Sequence, residues 1–241
     1  MLLFSFDLET TGLDRVKDRI TEVGACLWST KINRALETTS FLVKSDVPVP
    51  KEVTAITGIT DGMLKRFGLE EKDAVDEILS FMNDADAVIG QNVVQFDKEF
   101  LFNAAARHSM AVPDKIWIDT RTDLPLSVET KSLPYMCADH GFLNPFPHNA
   151  VSDVLSVLKL ASMYDIDQMV ARAKEPNVVL RSLQAFDNNA DAKKMKFMWK
   201  PDLGKRWLRV VKKSDVDIIA KTAPFNISII TDVTAPQVWY S

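Results

Sequence analysis

The hydrophobic positions of residues 2–165 form strand patterns first, and then helix patterns that alternate with strand patterns. Residues 2–9 are apolar on both faces until their carboxyl end, which predicts a central, buried strand. Two further strand patterns follow directly and are typical of a meander. The predicted elements are strands at 2–9, 19–28, 34–43, 86–92 and 116–119, a short helix within 48–60, and helices at 74–84, 96–107, 131–140 and 149–164. This order predicts an α/β fold, with a mixed β-sheet flanked by helices.

The pattern changes after about residue 166. Loose helical patterning continues to Ala173, and beyond it strand-like segments alternate with turns, as at Pro201–Gly204. These segments are 178–186, 196–201, 205–212 and 225–231. We therefore predict a main domain at residues 1–168 and a small C-terminal unit at 169–241, of α+β or β-rich architecture.

Four acidic side chains occupy positions whose neighbours are hydrophobic. Asp7 and Glu9 share one face of the first strand, because side chains alternate there with period two. Asp97 heads the apolar stripe of its helix, and Asp153 lies among apolar neighbours in the first turns of the last predicted helix. A buried charge costs several kcal/mol unless it is compensated. No lysine or arginine occupies a matching position on these elements.

Bound cations can supply the missing compensation. An all-oxygen ligand set with at most one nearby imidazole selects hard ions, so Mg²⁺ or Mn²⁺ fits better than Zn²⁺. Four carboxylates are enough for two ions about 4 Å apart, the arrangement that supports phosphodiester hydrolysis. Taken singly, the acids have simpler explanations. Asp97 or Asp153 can be the partner of a helix N-terminus, and the pair on the strand can lie on an exposed edge.

The segments that carry these acids resemble the three motifs of the DEDDh exonucleases, the DnaQ-like group of 3′→5′ nucleases with an RNase H-like fold. They are FDLETTG at 6–12, GQNVVQFDKEFL at 90–101 and HNAVSD at 148–153. The spacing of His148 and Asp153 indicates the DEDDh subgroup, because its sister subgroup has a tyrosine where this chain has Asn149. Supporting matches are ITGIT at 56–60, WIDT at 117–120 and KSLPYMCADHGF at 131–142. The resemblance covers about residues 2–165.

The resemblance implies roles for five residues. Asp7, Glu9, Asp97 and Asp153 would bind two Mg²⁺ or Mn²⁺ ions, with Asp7 bridging them, and His148 would be the general base for the attacking water. An imidazole ordinarily titrates just below neutral pH, so it can accept a proton under working conditions.

The resemblance also implies contacts to the 3′-terminal nucleotide, from the turn after the first motif and from the second motif. The residues concerned are Thr10, Thr11, Gly12, Leu13 and Asn92. The second motif departs from its commonest form, which reads His-Asn-x-x-Phe-Asp. Gln91 replaces the histidine, and three residues separate Asn92 from Phe96. We therefore expect the loop that grips the substrate to differ from that of other family members.

Composition predicts an intracellular location. The chain has 241 residues, of which 46% are hydrophobic and 26% charged, as is ordinary for a globular protein. No apolar run approaches the roughly 18 residues of a membrane helix, and the N-terminal apolar stretch is cut short by Asp7 and lacks the basic lead of a signal peptide. The two cysteines, Cys26 and Cys137, form no CxxC pair. We expect a cytoplasmic, reducing setting, with no membrane partner and no disulfide framework.

Charge is segregated along the chain. The net charge is −4, yet residues 193–213 hold nine lysines and arginines and one aspartate. The same segment contains Phe197, Trp199 and Trp207. Cations neutralise phosphates and aromatic rings stack on unpaired bases, whereas the simpler interpretation is a β unit with core tryptophans and solvated cations. The candidate nucleic-acid contacts are Lys200, Lys205, Arg206 and Arg209.

The leading hypothesis is a metal-dependent 3′→5′ exonuclease that releases nucleoside 5′-monophosphates from DNA, preferring single-stranded or frayed ends, or from RNA. The alternative is a proofreading subunit that acts in complex with a DNA polymerase or another replication partner. A nucleic-acid binder without nuclease activity is the third hypothesis, and the intact set of four acids with His148 argues against it.

Overall fold

The computed structural model describes residues 1–128, 132–184 and 189–240. Within these residues, no helix is both long and apolar enough to span a bilayer. The chain forms two compact units that divide between Ala173 and Lys174, whereas the sequence pattern places the division between residues 168 and 169. The first residue of the helix predicted at 131–140 and the last two residues of the segment at 178–186 lie outside the described residues.

The first unit contains a five-stranded sheet and the helices that flank it. The strands are β1 Leu2–Thr10, β2 Ile20–Ser29, β3 Arg34–Leu42, β4 Ala87–Gly90 and β5 Ile116–Asp119. The helices are α1 Lys51–Thr57, α2 Asp61–Phe67, α3 Glu71–Asp84, α4 Asp97–Arg107, α5 Leu133–Asp139, α6 Ala150–Ala161 and α7 Ile166–Lys174. The predicted strands and helices of this unit are confirmed. The hydrophobic pattern does not predict α2, a short helix whose N-cap is Thr60.

The sheet has the strand order β3-β2-β1-β4-β5, which places β1 at its centre. β1 pairs antiparallel with β2, and β2 with β3, so the predicted meander is present. β1 pairs in parallel with β4, and β4 with β5. The carboxyl ends of these three strands therefore meet at one edge of a mixed sheet, where sites of α/β proteins usually lie.

Helices cover both faces of the sheet. Phe4, Phe6 and Leu8 of β1 are buried on one face with residues of α3 and α4, while Leu3 is buried on the other face with residues of α5 and α6. Burial of both faces explains why β1 is an almost continuous apolar run. Because side chains alternate along a strand, the two acids of β1 share the face of Leu3, toward α6.

The second unit is an antiparallel sheet with short helices, an α+β arrangement. The sheet order is β7-β8-β6-β9. Its elements are β6 Asn177–Ser182, α8 Ala190–Lys194, β7 Met198–Lys200, β8 Arg206–Lys212, a 3₁₀ turn at Lys213–Asp215, α9 Val216–Thr222, β9 Ile227–Ile230 and α10 Ala235–Tyr240. The predicted strands are confirmed, whereas the sequence pattern does not predict the three short helices. The buried core of the unit includes Val179, Leu208, Val233 and Val238.

Aromatic residues contribute to the interior of this unit. Trp207 is 3% exposed, and Trp199 packs on it with the ring centroids 5.4 Å apart. Phe197 is 2% exposed and contacts Phe225 edge to face. The interpretation of the tryptophans as core residues is therefore confirmed for Trp207, whose ring is not open to stacking by a base.

Candidate active site

The carboxyl end of β1 presents two acids toward α6. Asp7 and Glu9 are partly buried, on the face of the sheet that α5 and α6 cover. In the antiparallel pairing with β2, Asp7 lies opposite Gly24, and Glu9 lies opposite Glu22. The helix that faces these acids carries Asp153 in its first turn.

Asp97 is anchored to β1 from the parallel side of the sheet. It is the first residue of α4 and is 3% exposed. Its Oδ1 accepts a hydrogen bond of 2.9 Å from the backbone N–H of Leu8, the residue between the two acids of β1. A third carboxylate therefore lies beside that pair, although 89 residues separate Leu8 from Asp97 in the chain.

The start of α6 holds Asp153 and places His148 next to it. Asn149 is the N-cap, and its side chain accepts a hydrogen bond from the N–H of Ser152. The Asn144 side-chain amide donates to Oδ1 of Asp153, and the backbone N–H of His148 donates to Oδ2 at 3.3 Å. His148 has an exposed side chain and a φ of 62°, a left-handed conformation that is uncommon outside glycine and concentrates at functional sites. Both oxygens of Asp153 are thus oriented before any ligand binds.

Burial and mutual repulsion raise the pKa values of these carboxyl groups. Burial, followed by the charges of Asp97, Asp153, Glu9 and Glu22, raises the pKa of Asp7 well above its usual range. Burial and the charges of Asp153 and Glu22 raise the pKa of Glu9 to about 8. Burial likewise raises the pKa of Asp97 and of Asp153, against the opposing hydrogen bonds that each accepts.

The donor set fits a divalent cation. Glu9, His148 and Asp153 each offer a ligand atom, and these three atoms lie within 4.8 Å of one another. Across the described ranges, none of the ion pairs joins a lysine or arginine to these acids, to Asp7 or to Asp97. Carboxylates that repel one another are stabilised by a cation between them, and oxygen donors suit hard cations such as Mg²⁺ or Mn²⁺.

β2 and α6 approach each other very closely at this site. A Cβ atom at position 24 would lie 2.2 Å from the carbonyl carbon of Ala150 and 2.2 Å from the backbone nitrogen of Val151, so only glycine fits there. Glu22, two residues earlier, is 7% exposed. Its Oε1 accepts a hydrogen bond from Nδ2 of Asn149 at 3.0 Å, and its Oε2 accepts one from the N–H of Ala150 at 3.3 Å.

The turn after β1, where the sequence predicts substrate contacts, is organised by its own side chains. The Thr10 hydroxyl donates to the carbonyl oxygen of Gly12 at 2.6 Å, and the Thr11 hydroxyl donates to Oδ1 of Asp18 at 3.0 Å. A Cβ atom at Gly12 would lie 2.4 Å from Oδ2 of Asp18. Leu13, by contrast, is 76% exposed. The threonines therefore shape the turn, and Leu13 is the side chain that the turn presents to solvent.

The loop between β4 and α4 is held by a buried carboxylate at the end of β5. Asp119 accepts hydrogen bonds from the backbone N–H groups of Asn92 at 2.9 Å and Val94 at 3.2 Å. Burial raises the pKa of Asp119 to about 6. Asn92 itself has a φ of 62°, and its side-chain oxygen accepts a hydrogen bond of 2.9 Å from Nη1 of Arg121. The predicted substrate residue of the second motif thus has a cation bonded to it.

The sequence profile of the exonuclease family RNase_T matches residues 4–161, more than half of the chain. The chain belongs to this exonuclease family. Its motifs, with His148 five positions before Asp153, place it among the DnaQ-like DEDDh members, as the sequence predicts. DEDDh exonucleases use divalent metal ions, in agreement with the donor set described above.

Curated relatives of this exonuclease chain include PolC-type DNA polymerases III. It is 29% identical to the enzyme of Mycoplasma genitalium over 179 residues, which are 74% of this chain and 11% of the polymerase. It is 32% identical to the enzyme of Mycoplasma pneumoniae over 115 residues, 48% of this chain and 8% of the polymerase. The chain therefore spans only a small fraction of the length of the polymerases that it matches.

Solved structures share the fold of this DEDDh chain. E. coli exonuclease I in complex with a dA16 oligonucleotide superposes with a TM-score of 0.66 at 15% identity, over 93% of this chain and 68% of that one. The nuclease domain of 3′hExo, a DEDDh family member bound to rAMP, superposes with a TM-score of 0.57 at 18% identity, over 67% of this chain and 90% of that one. At these identities the likeness concerns the fold, and the predicted RNase H-like architecture is confirmed.

Three residues at the site escape the sequence analysis as individual residues. Glu22 is the one acid in a largely apolar strand, two positions before Gly24, and this break in the hydrophobic pattern is a usable signal. Asn144 precedes a proline in a loop, and Asp119 ends a strand within the WIDT segment; neither position alone indicates what the side chain bonds. Glu22 and Asp119 bond to segments that are distant in the sequence. Asn144 lies in a loop, where no periodic pattern marks it.

The four candidate nucleic-acid contacts of the second unit differ in their surroundings. Lys205 is exposed, whereas Lys200 is 9% exposed and burial lowers its pKa. Arg206 forms an ion pair of 2.8 Å with Asp232. Arg209 is partly buried, and its Nη1 donates to a backbone carbonyl oxygen at 2.9 Å. Of the four, Lys205 is the side chain most open to a ligand.

Proposed function

We propose that the chain is a metal-dependent 3′→5′ exonuclease that hydrolyses the terminal phosphodiester bond of DNA or RNA and releases nucleoside 5′-monophosphates. The observation that carries the proposal is the convergence of five side chains from β1, α4, the loop before α6 and α6 itself. These residues are Asp7, Glu9, Asp97, His148 and Asp153. Membership of the exonuclease family supports the same chemistry.

The four carboxylates of Asp7, Glu9, Asp97 and Asp153 would hold two Mg²⁺ or Mn²⁺ ions. Such a pair of ions supplies an activated water on one side and charge stabilisation at the leaving oxygen on the other. The protein's own contribution is orientation. Leu8 fixes one oxygen of Asp97, and Asn144 fixes one oxygen of Asp153. The raised pKa values mean that protons compete with cations for this site, so its affinity for cations rises with pH.

His148 is assigned as the general base that accepts the proton of the attacking water. Its side chain is exposed, and one ring nitrogen lies within 4.8 Å of ligand atoms of both Glu9 and Asp153. The left-handed backbone at His148 keeps the residue outside α6, in the loop that leads into the helix. A base placed in this way contributes about 10²–10⁴-fold to the rate of hydrolysis.

The turn of Thr10–Leu13 and the side chain of Asn92 are assigned to the 3′-terminal nucleotide. The exposed Leu13 offers an apolar contact to a base, and Arg121, bonded to Asn92, offers a cation to a phosphate. DNA with a single-stranded or frayed end is the favoured substrate. The PolC-type DNA polymerases among the relatives and the dA16 bound to exonuclease I support this preference, while the rAMP bound to 3′hExo supports RNA as the alternative.

The second unit is proposed to add a basic surface for nucleic acid. Its exposed lysines include Lys193, Lys194, Lys196 and Lys205. Exposed cations bind phosphates without sequence preference, and the binding weakens as salt rises. Charge reversal of Lys205 should therefore lower the affinity for oligonucleotides and flatten its salt dependence.

A proofreading role beside a DNA polymerase is the second candidate function. The match to the PolC-type polymerases of two Mycoplasma species favours it. Under this hypothesis the isolated chain would still hydrolyse 3′ ends, and addition of the partner polymerase would raise its preference for mismatched ends.

Digestion of oligonucleotides labelled at the 3′ or the 5′ end tests the leading proposal. In Mg²⁺ or Mn²⁺, a 3′ label should be released at once as a mononucleotide, while a 5′ label should appear in a ladder that shortens from the other end. EDTA should stop both. Release that begins at the 5′ end, or that continues in EDTA, would overturn the proposal. Matched single-stranded DNA, duplex DNA and RNA in the same assay rank the substrates.

A further inference from the structure

We propose that Glu22 is a positioning residue of the nuclease site. In this proposal its carboxylate fixes the start of α6 and, through it, the places of Asp153 and His148 relative to β1. The inference rests on the proposed function, which assigns catalysis to those two residues.

The carboxylate of Glu22 directs both of its oxygens at the first residues of α6. Oε1 accepts from Nδ2 of Asn149 at 3.0 Å, and Oε2 accepts from the N–H of Ala150 at 3.3 Å. The side chain is 7% exposed, so these donors take the place of water around its charge.

The amide of Asn149 is engaged at both ends. Its oxygen accepts from the N–H of Ser152, the capping bond of α6, while its nitrogen donates to Glu22. The amide therefore has one orientation that satisfies both partners. Glu22 thus stabilises the capping geometry at the residue that links His148 to the helix of Asp153.

An acid at position 22 is electrostatically unfavourable, which argues that its hydrogen bonds matter. Its negative charge repels the charges of Asp7 and Glu9. A neutral amide would relieve that repulsion, but it presents a donor to one of the two N–H groups, each of which requires an acceptor. The helix N-terminus and the amide of Asn149 offset part of the cost of the buried charge.

Positions 22 and 24 of β2 lie beside both the acids of β1 and the start of α6. Glu22 lies opposite Glu9 in the strand pairing, and Gly24 lies opposite Asp7. Gly24 permits the close approach of the backbone at Ala150, and Glu22 then bonds to that backbone. β2 therefore connects the acids of β1 to the start of α6, the helix that carries Asp153.

An exchange of polar groups between positions 22 and 149 tests this inference. In Glu22→Gln, an amide NH₂ faces either the NH₂ of Asn149 or the N–H of Ala150, and one hydrogen bond is lost. In Glu22→Gln with Asn149→Asp, the new amide donates to the new carboxylate, which still accepts from the N–H of Ser152. Glu22→Asp keeps the charge but shortens the side chain by one methylene. Glu37→Gln on β3, where Glu37 is exposed, is the matched control.

Three measurements apply to each variant: steady-state hydrolysis of a 3′-labelled oligonucleotide, hydrogen exchange of the backbone amides at 149–153, and thermal unfolding. Glu22→Gln and Glu22→Asp should each lower kcat by about 10–100-fold with little change in KM. They should also accelerate exchange at Ala150 and Ser152. The double variant should recover most of kcat and of the protection, and Glu37→Gln should match the wild type.

Wild-type kcat and exchange in a folded Glu22→Gln chain would overturn the inference, as would a folded double variant that recovers neither. If either glutamine variant does not fold, Glu22→Asp decides by the same two measurements. A wild-type chain without nuclease activity would instead overturn the proposed function, and the exchange rates alone would then decide whether Glu22 fixes the start of α6.

Discussion

The carboxylate of Asp97 is bonded to the backbone of Leu8 over a distance of 2.9 Å. This hydrogen bond ties the start of α4 to the strand between Asp7 and Glu9, and it occupies one of the two oxygens of the Asp97 carboxylate. The bond therefore has two consequences that mutation can separate: it orients a charge, and it connects two elements of the fold.

Asp97→Asn should abolish nuclease activity without unfolding the chain. The asparagine oxygen can still accept from Leu8, so α4 stays attached, but the negative charge is lost and nucleotide release should fall by several orders of magnitude. Because one of the repelling carboxylates is neutralised, the metal-free variant should unfold at a higher temperature than the wild type at pH 8. Thermal unfolding in EDTA, with the activity assay in Mg²⁺, checks both effects. An active Asp97→Asn chain would contradict the assignment.

The metal-free protein should lose stability as pH rises from about 5 to 9. Carboxyl groups whose pKa is raised on folding bind more protons in the folded than in the unfolded state, so their contribution to stability is complete at low pH and disappears as pH passes their folded values. In the folded chain the pKa is about 6 for Asp119 and about 8 for Glu9. Each such group can contribute a slope of up to about 1.4 kcal/mol per pH unit.

Urea unfolding in EDTA at several pH values measures this slope. Glu9→Gln should remove the part of the slope between about pH 4.5 and pH 8, the unfolded and folded pKa values of Glu9. Saturating Mn²⁺ should stabilise the wild type most at high pH, where protons no longer compete. A free energy of unfolding that rises from pH 6 to 9 in EDTA would contradict this prediction.

Gly24→Ala should damage both stability and activity. The added methyl group would lie 2.2 Å from the backbone of Ala150, so α6 must move away from β2 and carry Asp153 with it. We expect a loss of roughly 1–3 kcal/mol in the free energy of unfolding, together with a lower kcat. Gly62→Ala in α2 is the matched control, because its methyl group meets no atom closer than 3.9 Å. An equal effect of the two substitutions would refute the close packing of α6 on β2.

His148→Ala should lower kcat by about 10²–10⁴-fold while the chain keeps its stability. The side chain is exposed, so its removal leaves no cavity. His108→Ala is the control, since that ring contacts Glu71 at 2.9 Å on α3 and no residue of the site. A His148→Ala chain with wild-type kcat would exclude the general-base role.

The sequence predicts the architecture of the first unit because its periodicity is strong. β1 is apolar on both faces, and α3, α4 and α6 each carry a clear stripe of buried residues. The short helices α2 and α8–α10 escape prediction, because five to seven residues make at most two helical turns and carry little periodicity. Of the helices of that length, α1 and α5 are predicted.

The acids of the site are recognisable from sequence because each interrupts an apolar pattern. Asp7, Asp97 and Asp153 all occupy core-facing positions of regular elements. The groups that orient them are harder to find. Asn144 bonds to Asp153 from an irregular loop, and Glu22 on β2 bonds to Asn149, the N-cap of α6, more than a hundred residues away in the sequence. Contacts of that kind depend on tertiary packing, and no local pattern encodes them.

Titration with Mn²⁺, followed by the paramagnetic resonance signal of the free ion, tests the central claim that the carboxylates around Asp7 hold the catalytic cations. The same samples are assayed for release of the 3′-terminal nucleotide. We predict two bound ions per wild-type chain, and in a folded Asp7→Asn chain the loss of at least one ion with a parallel loss of nucleotide release. Equal Mn²⁺ binding by the wild type and Asp7→Asn, or undiminished nucleotide release by the variant, would contradict the account.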